Sequence, residues 1–157
     1  MKRTNLKRKS TLKRSVGPKK APRKRATEKS VSKLMKDADM WFSRFVRLSH
    51  AKPDGTVNCY TCGYETHYKK LDNGHYISRY YKHTRWDERN CRPQCRMCNI
   101  WKKGDPQTFR EKLVEEYGQE TVEEMEAKRK LVSKLTREWM NELVDTYKPK
   151  VEALLEE

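Results

Sequence analysis

Two short cysteine pairs, Cys59-x-x-Cys62 and Cys95-x-x-Cys98, constrain this chain more than any other feature. Each pair presents two thiolates on a tight knuckle, and a tetrahedral soft metal such as Zn²⁺ takes four such ligands. The pairs stand 33 positions apart, so the intervening chain must double back to bring them together. Four unrelated buried thiols are a poor alternative, because only 34% of residues are hydrophobic and 38% are charged. A redox-active pair would need a thioredoxin-like strand–helix context, which is absent. Without an export signal the thiols are expected to stay reduced and to act as metal ligands rather than disulfides. The fifth cysteine, Cys91, is set aside: in place of Cys95 it would leave six residues before Cys98, a worse knuckle. With so small a core, the zinc is expected to hold the middle segment together.

Charge divides the chain of 157 residues further. Residues 1–30 carry +12, residues 31–105 carry +7 and residues 106–157 carry −4. The reading is a disordered basic tail over 1–29, a helix plus zinc-bound core over 30–105, and a helical region over 106–157. The two basic parts point to a nucleic-acid partner; the plainer alternative is a tail that only confers solubility or binds any polyanion. No apolar run approaches the ~18 residues that a membrane span requires, and no charged-then-apolar leader is seen. A membrane, secreted or large-cored protein is therefore not expected.

From Val31, apolar residues recur at three- and four-residue spacing through Leu34, Ala38, Phe42 and Val46. This predicts an amphipathic helix capped by Ser30 and ending near His50, ahead of the turn Pro53-Asp54-Gly55. Beyond Pro106, Phe109 and Leu113 lead to a helix ended by Gly118, and Thr121-x-x-Glu124 fits a capping box. A last helical stretch carries Leu131, Val132, Leu135, Trp139, Leu143, Val144 and Tyr147, with a break within 128–133 and an interruption at Pro149. These acidic helices are expected to pack, or to form a dimer contact through Trp139, rather than lie along DNA.

Between the knuckles lie Asp72-Asn73-Gly74-His75-Tyr76 and Arg85-Trp86-Asp87-Glu88-Arg89-Asn90, and beyond them Cys98-Asn99 and Lys102. Phosphodiester hydrolysis needs a base for water and a hard cation for the leaving oxygen. A neutral histidine can be that base near pH 7. Asp and Asn oxygens suit Mg²⁺ or Mn²⁺, whereas cysteine sulfur suits zinc. Arg79, Arg85, Arg89 and Lys102 are candidate phosphate contacts, although Arg85 and Arg89 can instead brace the loop through Asp87 or Glu88. Trp86 is read as packing. His50 and His67 lie outside any motif.

His75, Asn90 and Asn99 resemble the H-N-H/N signature of the ββα-metal (His-Me finger) nucleases. The spaced series from Cys59-Tyr-Thr-Cys62 through Asp72-Asn-Gly-His75-Tyr76, Glu88-Arg89-Asn90 and Gln94-Cys95-x-x-Cys98-Asn99 to Tyr117-Gly118-Gln119-Glu120 is more specific: it resembles the phage NinG (Rap) recombination family. That resemblance implies an α+β fold with a zinc-stabilised ββα-metal core flanked by N- and C-terminal helices. It also implies metal-dependent endonuclease activity on Holliday junctions or other branched DNA in recombination. Under it His75 is the general base, Asn99 a ligand of a catalytic Mg²⁺ or Mn²⁺, and Asn90 a brace for the loop that orients His75. Asp72 is the second metal ligand, with His83 and Asp87 as competitors. The wider nuclease class has Asp directly before the His, where this chain has Gly74.

Junction cleavage takes two symmetric cuts, so a homodimer is expected; the expected location is the cytoplasm, that of the host cell if the chain is phage-encoded. Two rivals stand beside this reading: a sequence-directed H-N-H enzyme that nicks or cuts duplex DNA, and a non-catalytic zinc module that binds nucleic acid.

Overall fold

A computed structural model describes residues 28–156; the expected disordered tail falls almost wholly outside them. Helix α1 spans Val31–Leu48, and the Ser30 hydroxyl accepts from the Lys33 N–H at its start. Leu34, Ala38, Phe42 and Val46, one every fourth residue, are all buried along one face. Two hairpins follow. In the first, β1 (Thr56–Asn58) pairs antiparallel with β2 (Glu65–His67), and the first cysteine knuckle forms the loop between them. In the second, β3 (Asp72–His75) pairs antiparallel with β4 (Cys91–Gln94), in the register Asp72↔Gln94 to His75↔Cys91.

After β4 the chain makes a five-residue π-helical turn, Met97–Trp101. Helices α2 (Pro106–Tyr117) and α3 (Gln119–Ala127) meet at Gly118, whose φ of 84° lets the chain reverse directly from one to the other. Thr121 therefore sits inside α3 rather than capping it, which corrects the capping-box reading. Helix α4 runs from Arg137 to Glu156.

The break expected within 128–133 is present. A 3₁₀ turn covers Lys128–Lys130, and the chain is then non-helical to Thr136, so Leu131, Val132 and Leu135 are not helical after all. Pro149, in contrast, does not interrupt α4. It forfeits one backbone hydrogen bond, but Tyr147 and Val151 on either side are both buried and hold the helix to its course.

The core is divided into three small clusters, as the polar composition demands. Helices α1 and α4 pack face to face: the Phe42 and Tyr147 rings meet edge-on at 4.9 Å, and Met140 is fully buried. Trp139 packs against this cluster, the first of the two roles expected of it, with its ring 5.3 Å from that of Trp86. Val57 and Leu71 join the cysteines in a second cluster. Phe109, Leu113, Val122 and Met125 pack under Ile77 in the third, so α2 and α3 support the chain leaving β3. Among the described residues, no helix is long and apolar enough to cross a membrane.

Candidate metal centre and adjoining cleft

Hydrogen bonding builds the first knuckle locally. The Cys59 N–H donates to Tyr64 O and the Gly63 N–H to Cys59 O, and Gly63 takes a φ of 75° to close the turn. The Tyr60 N–H donates to Pro93 O, tying this knuckle to β4 and so to the second one. The result brings the sulfurs of Cys59, Cys62, Cys95 and Cys98 within 4.8 Å of one another. Cys62 and Cys95 sulfurs stand 3.8 Å apart, the spacing that a tetrahedron with Zn–S bonds of about 2.3 Å requires. Backbone N–H groups already point at the sulfurs, from Cys95 to Cys59 at 3.2 Å and from Cys98 to Cys95 at 3.5 Å.

Burial pushes the Cys59 thiol up, but N–H donors from Cys62 and Cys95 and the Thr61 hydroxyl outweigh it and bring the group down to about 6. The four cysteines can hold a metal such as zinc. Cys91 is not among them: it is fully buried in the α1–α4 core beside Trp86.

Strand β3 delivers Asp72, Asn73 and His75 to a cleft of about 310 Å³, which Asn99, Arg79, Asp39 and Ile100 also line. Asn99 reaches it because the turn carrying Cys98 projects the next side chain across to β3, where its amide donates to Asp72 Oδ2 at 3.1 Å. One His75 ring nitrogen, Nε2, lies 3.1 Å from Arg85 O, and the other, Nδ1, lies 3.2 Å from Asn73 O. A neutral imidazole has one N–H, so it donates to one carbonyl while the other nitrogen keeps a lone pair. Burial lowers the His75 pKa from its ordinary value, the two carbonyls pulling the other way, and favours that neutral form.

Asn90 is fully buried and clamps the loop between β3 and β4. Its Oδ1 accepts from Ile77 N–H at 2.7 Å, and its Nδ2 donates to the carbonyls of Ile77 and Thr84, each at 2.9 Å. Its own carbonyl accepts from Tyr76 N–H, the residue after His75.

The arginines divide. Arg79 is exposed at the cleft. Arg85 is buried at 6% exposure and is a correction to the candidate phosphate contacts: its guanidinium makes a paired contact with Asp39, at 2.8 and 2.5 Å, and donates to Arg79 O. Arg89 pairs with Asp87 at 2.8 Å and lies by Trp139 and Leu143, on the side facing α4. His83 and Asp87 line that same region and not the cleft, so of the three carboxylate and histidine competitors only Asp72 stands with His75. Lys102 is exposed beyond the turn, 3.8 Å from Asp105. His50 and His67 stay apart from the cleft, the first bonded to Val46 O and the second set beside Gly55.

Two site residues escaped the sequence. Asp39, on α1, holds Arg85, whose carbonyl faces His75. Gln94 is fully buried, with its amide donating to Gly104 O at 2.8 Å and Thr61 Oγ1 at 3.2 Å, joining both sides of the metal centre. Its side chain fills the place of a Gly74 Cβ, which would lie 2.1 Å from Gln94 Oε1. That is the physical reason a glycine, and no aspartate, precedes His75.

The family described as Bacteriophage Lambda NinG protein matches the chain over residues 1–157. Protein ninG of Escherichia phage 933W is 34% identical over 94 residues, which is 59% of this chain and 44% of that protein. Protein ninG of Escherichia phage lambda is 33% identical over 94 residues, with the same shares. The matched region therefore spans less than half the length of these relatives. No solved structure matches the chain.

Proposed function

The chain belongs to the phage lambda NinG family, and from that premise we propose that it is a metal-dependent DNA endonuclease that cuts branched DNA such as four-way junctions. The observation that carries the reading is the convergence of His75, Asp72 and Asn99 on one open cleft, directly beside a four-cysteine centre. A binding module alone would need no such convergence.

The donor set suits a hard cation. Asn99 and Asp72 spend Nδ2 and Oδ2 on each other, which leaves the amide Oδ1 and the second carboxylate oxygen as ligands. Asn73 Oδ1, from the same cleft, is buried with no hydrogen-bond partner among the described residues. Mg²⁺ or Mn²⁺ held by Asp72 and Asn99 would neutralise charge on the leaving 3′-oxygen.

The chain's own residues do the rest. His75 takes a proton from water at the ring nitrogen that is not donating to a carbonyl, so the hydroxide formed attacks the phosphorus. The Arg85 carbonyl orients the ring, and Asn90 fixes the loop that carries that carbonyl. Arg79, at the mouth, meets the phosphate backbone, while Cys59, Cys62, Cys95 and Cys98 would hold a zinc ion that fixes the turn presenting Asn99 to β3. Paired cuts require two copies of the chain on one junction.

The test is cleavage of a labelled four-way junction and a matched linear duplex by the zinc-loaded protein, with and without Mg²⁺. Paired, Mg²⁺-dependent cuts on the junction, lost in His75→Ala, are expected. Equal cutting of both DNAs would favour the duplex-directed rival, and binding without cleavage in Mg²⁺ or Mn²⁺ would leave only a binding module.

A further inference from the structure

The π-helical turn between the metal centre and the cleft exposes three large apolar side chains in succession along its outer side. Met97 is 58% exposed, Ile100 48% and Trp101 74%. The turn is wider than an α-helical one, closed by Lys102 N–H to Met97 O at 2.9 Å, and such insertions often occur at functional sites. An apolar ridge of this kind costs free energy in water, and nothing among the described residues covers it.

Its surroundings are cationic. Arg96, Lys102 and Lys103 flank the ridge and are exposed. On one side Ile100 faces the His75 cleft. On the other, Met97 lines a hollow of about 500 Å³ with Tyr64 and the cations Lys70, Arg96 and Lys102. Exposed aromatic and apolar groups set between cations are the arrangement that holds single-stranded nucleic acid: cations take the phosphates and a ring takes the face of a base. Duplex DNA hides its base faces, so this ridge has a partner only where bases are unpaired or, as at a branch point, unstacked.

We propose that the turn Met97–Trp101 is a stacking ridge for unpaired DNA bases, with Trp101 as the principal contact, and that it selects branched DNA by engaging bases exposed at the branch point. The inference rests on the reading that the chain acts on DNA. The ridge adjoins the cleft through Ile100, so a base stacked there sets a nearby phosphate before His75. The selectivity belongs to the ridge and the chemistry to the cleft, so the two can be separated by experiment.

The test uses the full zinc-loaded chain without added Mg²⁺ or Mn²⁺, so that binding is read apart from cleavage. The probes are a single strand and a four-way junction carrying 2-aminopurine at an unpaired or branch-point position, with a fully paired linear duplex for comparison. Trp101→Ala is expected to weaken binding to single strand and junction by roughly 5- to 150-fold and to abolish the 2-aminopurine quenching. Trp101→Phe restores most of both, and duplex binding is unchanged throughout. Equal binding of Trp101→Ala and the unaltered chain to all three DNAs would overturn the proposal, even where the chain cleaves junctions in Mg²⁺. A change in oligomeric state in Trp101→Ala, with DNA binding intact, would overturn it too, because the ridge would then be a contact between copies. Loss of strand binding in Trp101→Ala by a chain that never cleaves would sustain the ridge and refute the nuclease.

Discussion

The four-thiol centre and the His75 cleft share a piece of chain, since Cys98 and Asn99 are neighbours, yet they are built on opposite plans. The thiol centre draws all its donors from cysteine, three of them buried, and is braced by N–H groups aimed at sulfur. Four protein ligands leave no coordination position for substrate. The cleft offers oxygen donors from Asp72 and Asn99 and one imidazole, on a surface open to a polyanion. A closed soft site suits a structural role, and an open one with oxygen donors suits the proposed chemistry; side by side, the first can fix the geometry of the second without entering that chemistry.

The largest effect expected comes from taking the metal out of the thiol centre. Structural zinc contributes on the order of 10–16 kcal/mol of apparent binding free energy, which is also folding free energy. Chelation, or Cys98→Ser, is therefore expected to strip amide-exchange protection from residues 56–104 while the α1–α4 pair, with Phe42, Met140 and Tyr147 at its centre, keeps more of its own. Equal protection with and without chelator would mean that the four cysteines hold no structural metal. His75→Ala should act in the reverse sense, lowering cleavage by roughly 10²–10⁴-fold with zinc content and melting temperature unchanged.

Asn90→Ala is expected to blur the distinction, because Asn90 serves both fold and cleft. It leaves the Ile77 N–H and the Ile77 and Thr84 carbonyls without their partner, and each buried orphan costs about 1–3 kcal/mol. Melting temperature and cleavage should fall together while zinc stays bound. Gly74→Ala drives a Cβ into Gln94, which must give up its bonds to Thr61 and Gly104; overpacking of this kind costs about 1–3 kcal/mol. Thermal unfolding of the variant measures it.

The smallest effect is in pH. Burial lowers the His75 pKa, so the folded chain binds fewer protons there than the unfolded chain. Cleavage should rise with pH to a plateau through a midpoint below the ordinary value of about 6.5. The stability that His75 contributes should be present above that value and lost as pH falls below it. A rate profile with its midpoint above 6.5 would contradict the burial argument.

Much of this was legible because it is local. Ser30 and the four-residue rhythm from Leu34 to Val46 define α1 without help from elsewhere, and the knuckle spacing defines the thiol centre. What was misread depends on partners distant in sequence. Arg85 looked like a phosphate contact because nothing near it announces Asp39, which lies 46 residues away on α1. Gln94 was read only as the residue before Cys95; its role exists only once β3 and β4 pair and its side chain lies over Gly74. Pro149 and Thr121 carry strong local signals, a helix breaker and a helix cap; tertiary packing overrode the first, and the direct chain reversal at Gly118 overrode the second. Trp101 was passed over because an exposed tryptophan leaves no mark in a hydrophobic pattern.

The most direct measurement pairs metal content with cleavage on a single preparation. Zinc per chain is counted by native mass spectrometry, and junction cleavage is then followed as Mg²⁺ is added, for the unaltered chain and for His75→Ala. One zinc per chain in both proteins, with cleavage that appears only on adding Mg²⁺ and only when His75 is present, is the result predicted. Cleavage that follows zinc alone, or that survives in His75→Ala, would contradict the division between a site that builds and a site that cuts.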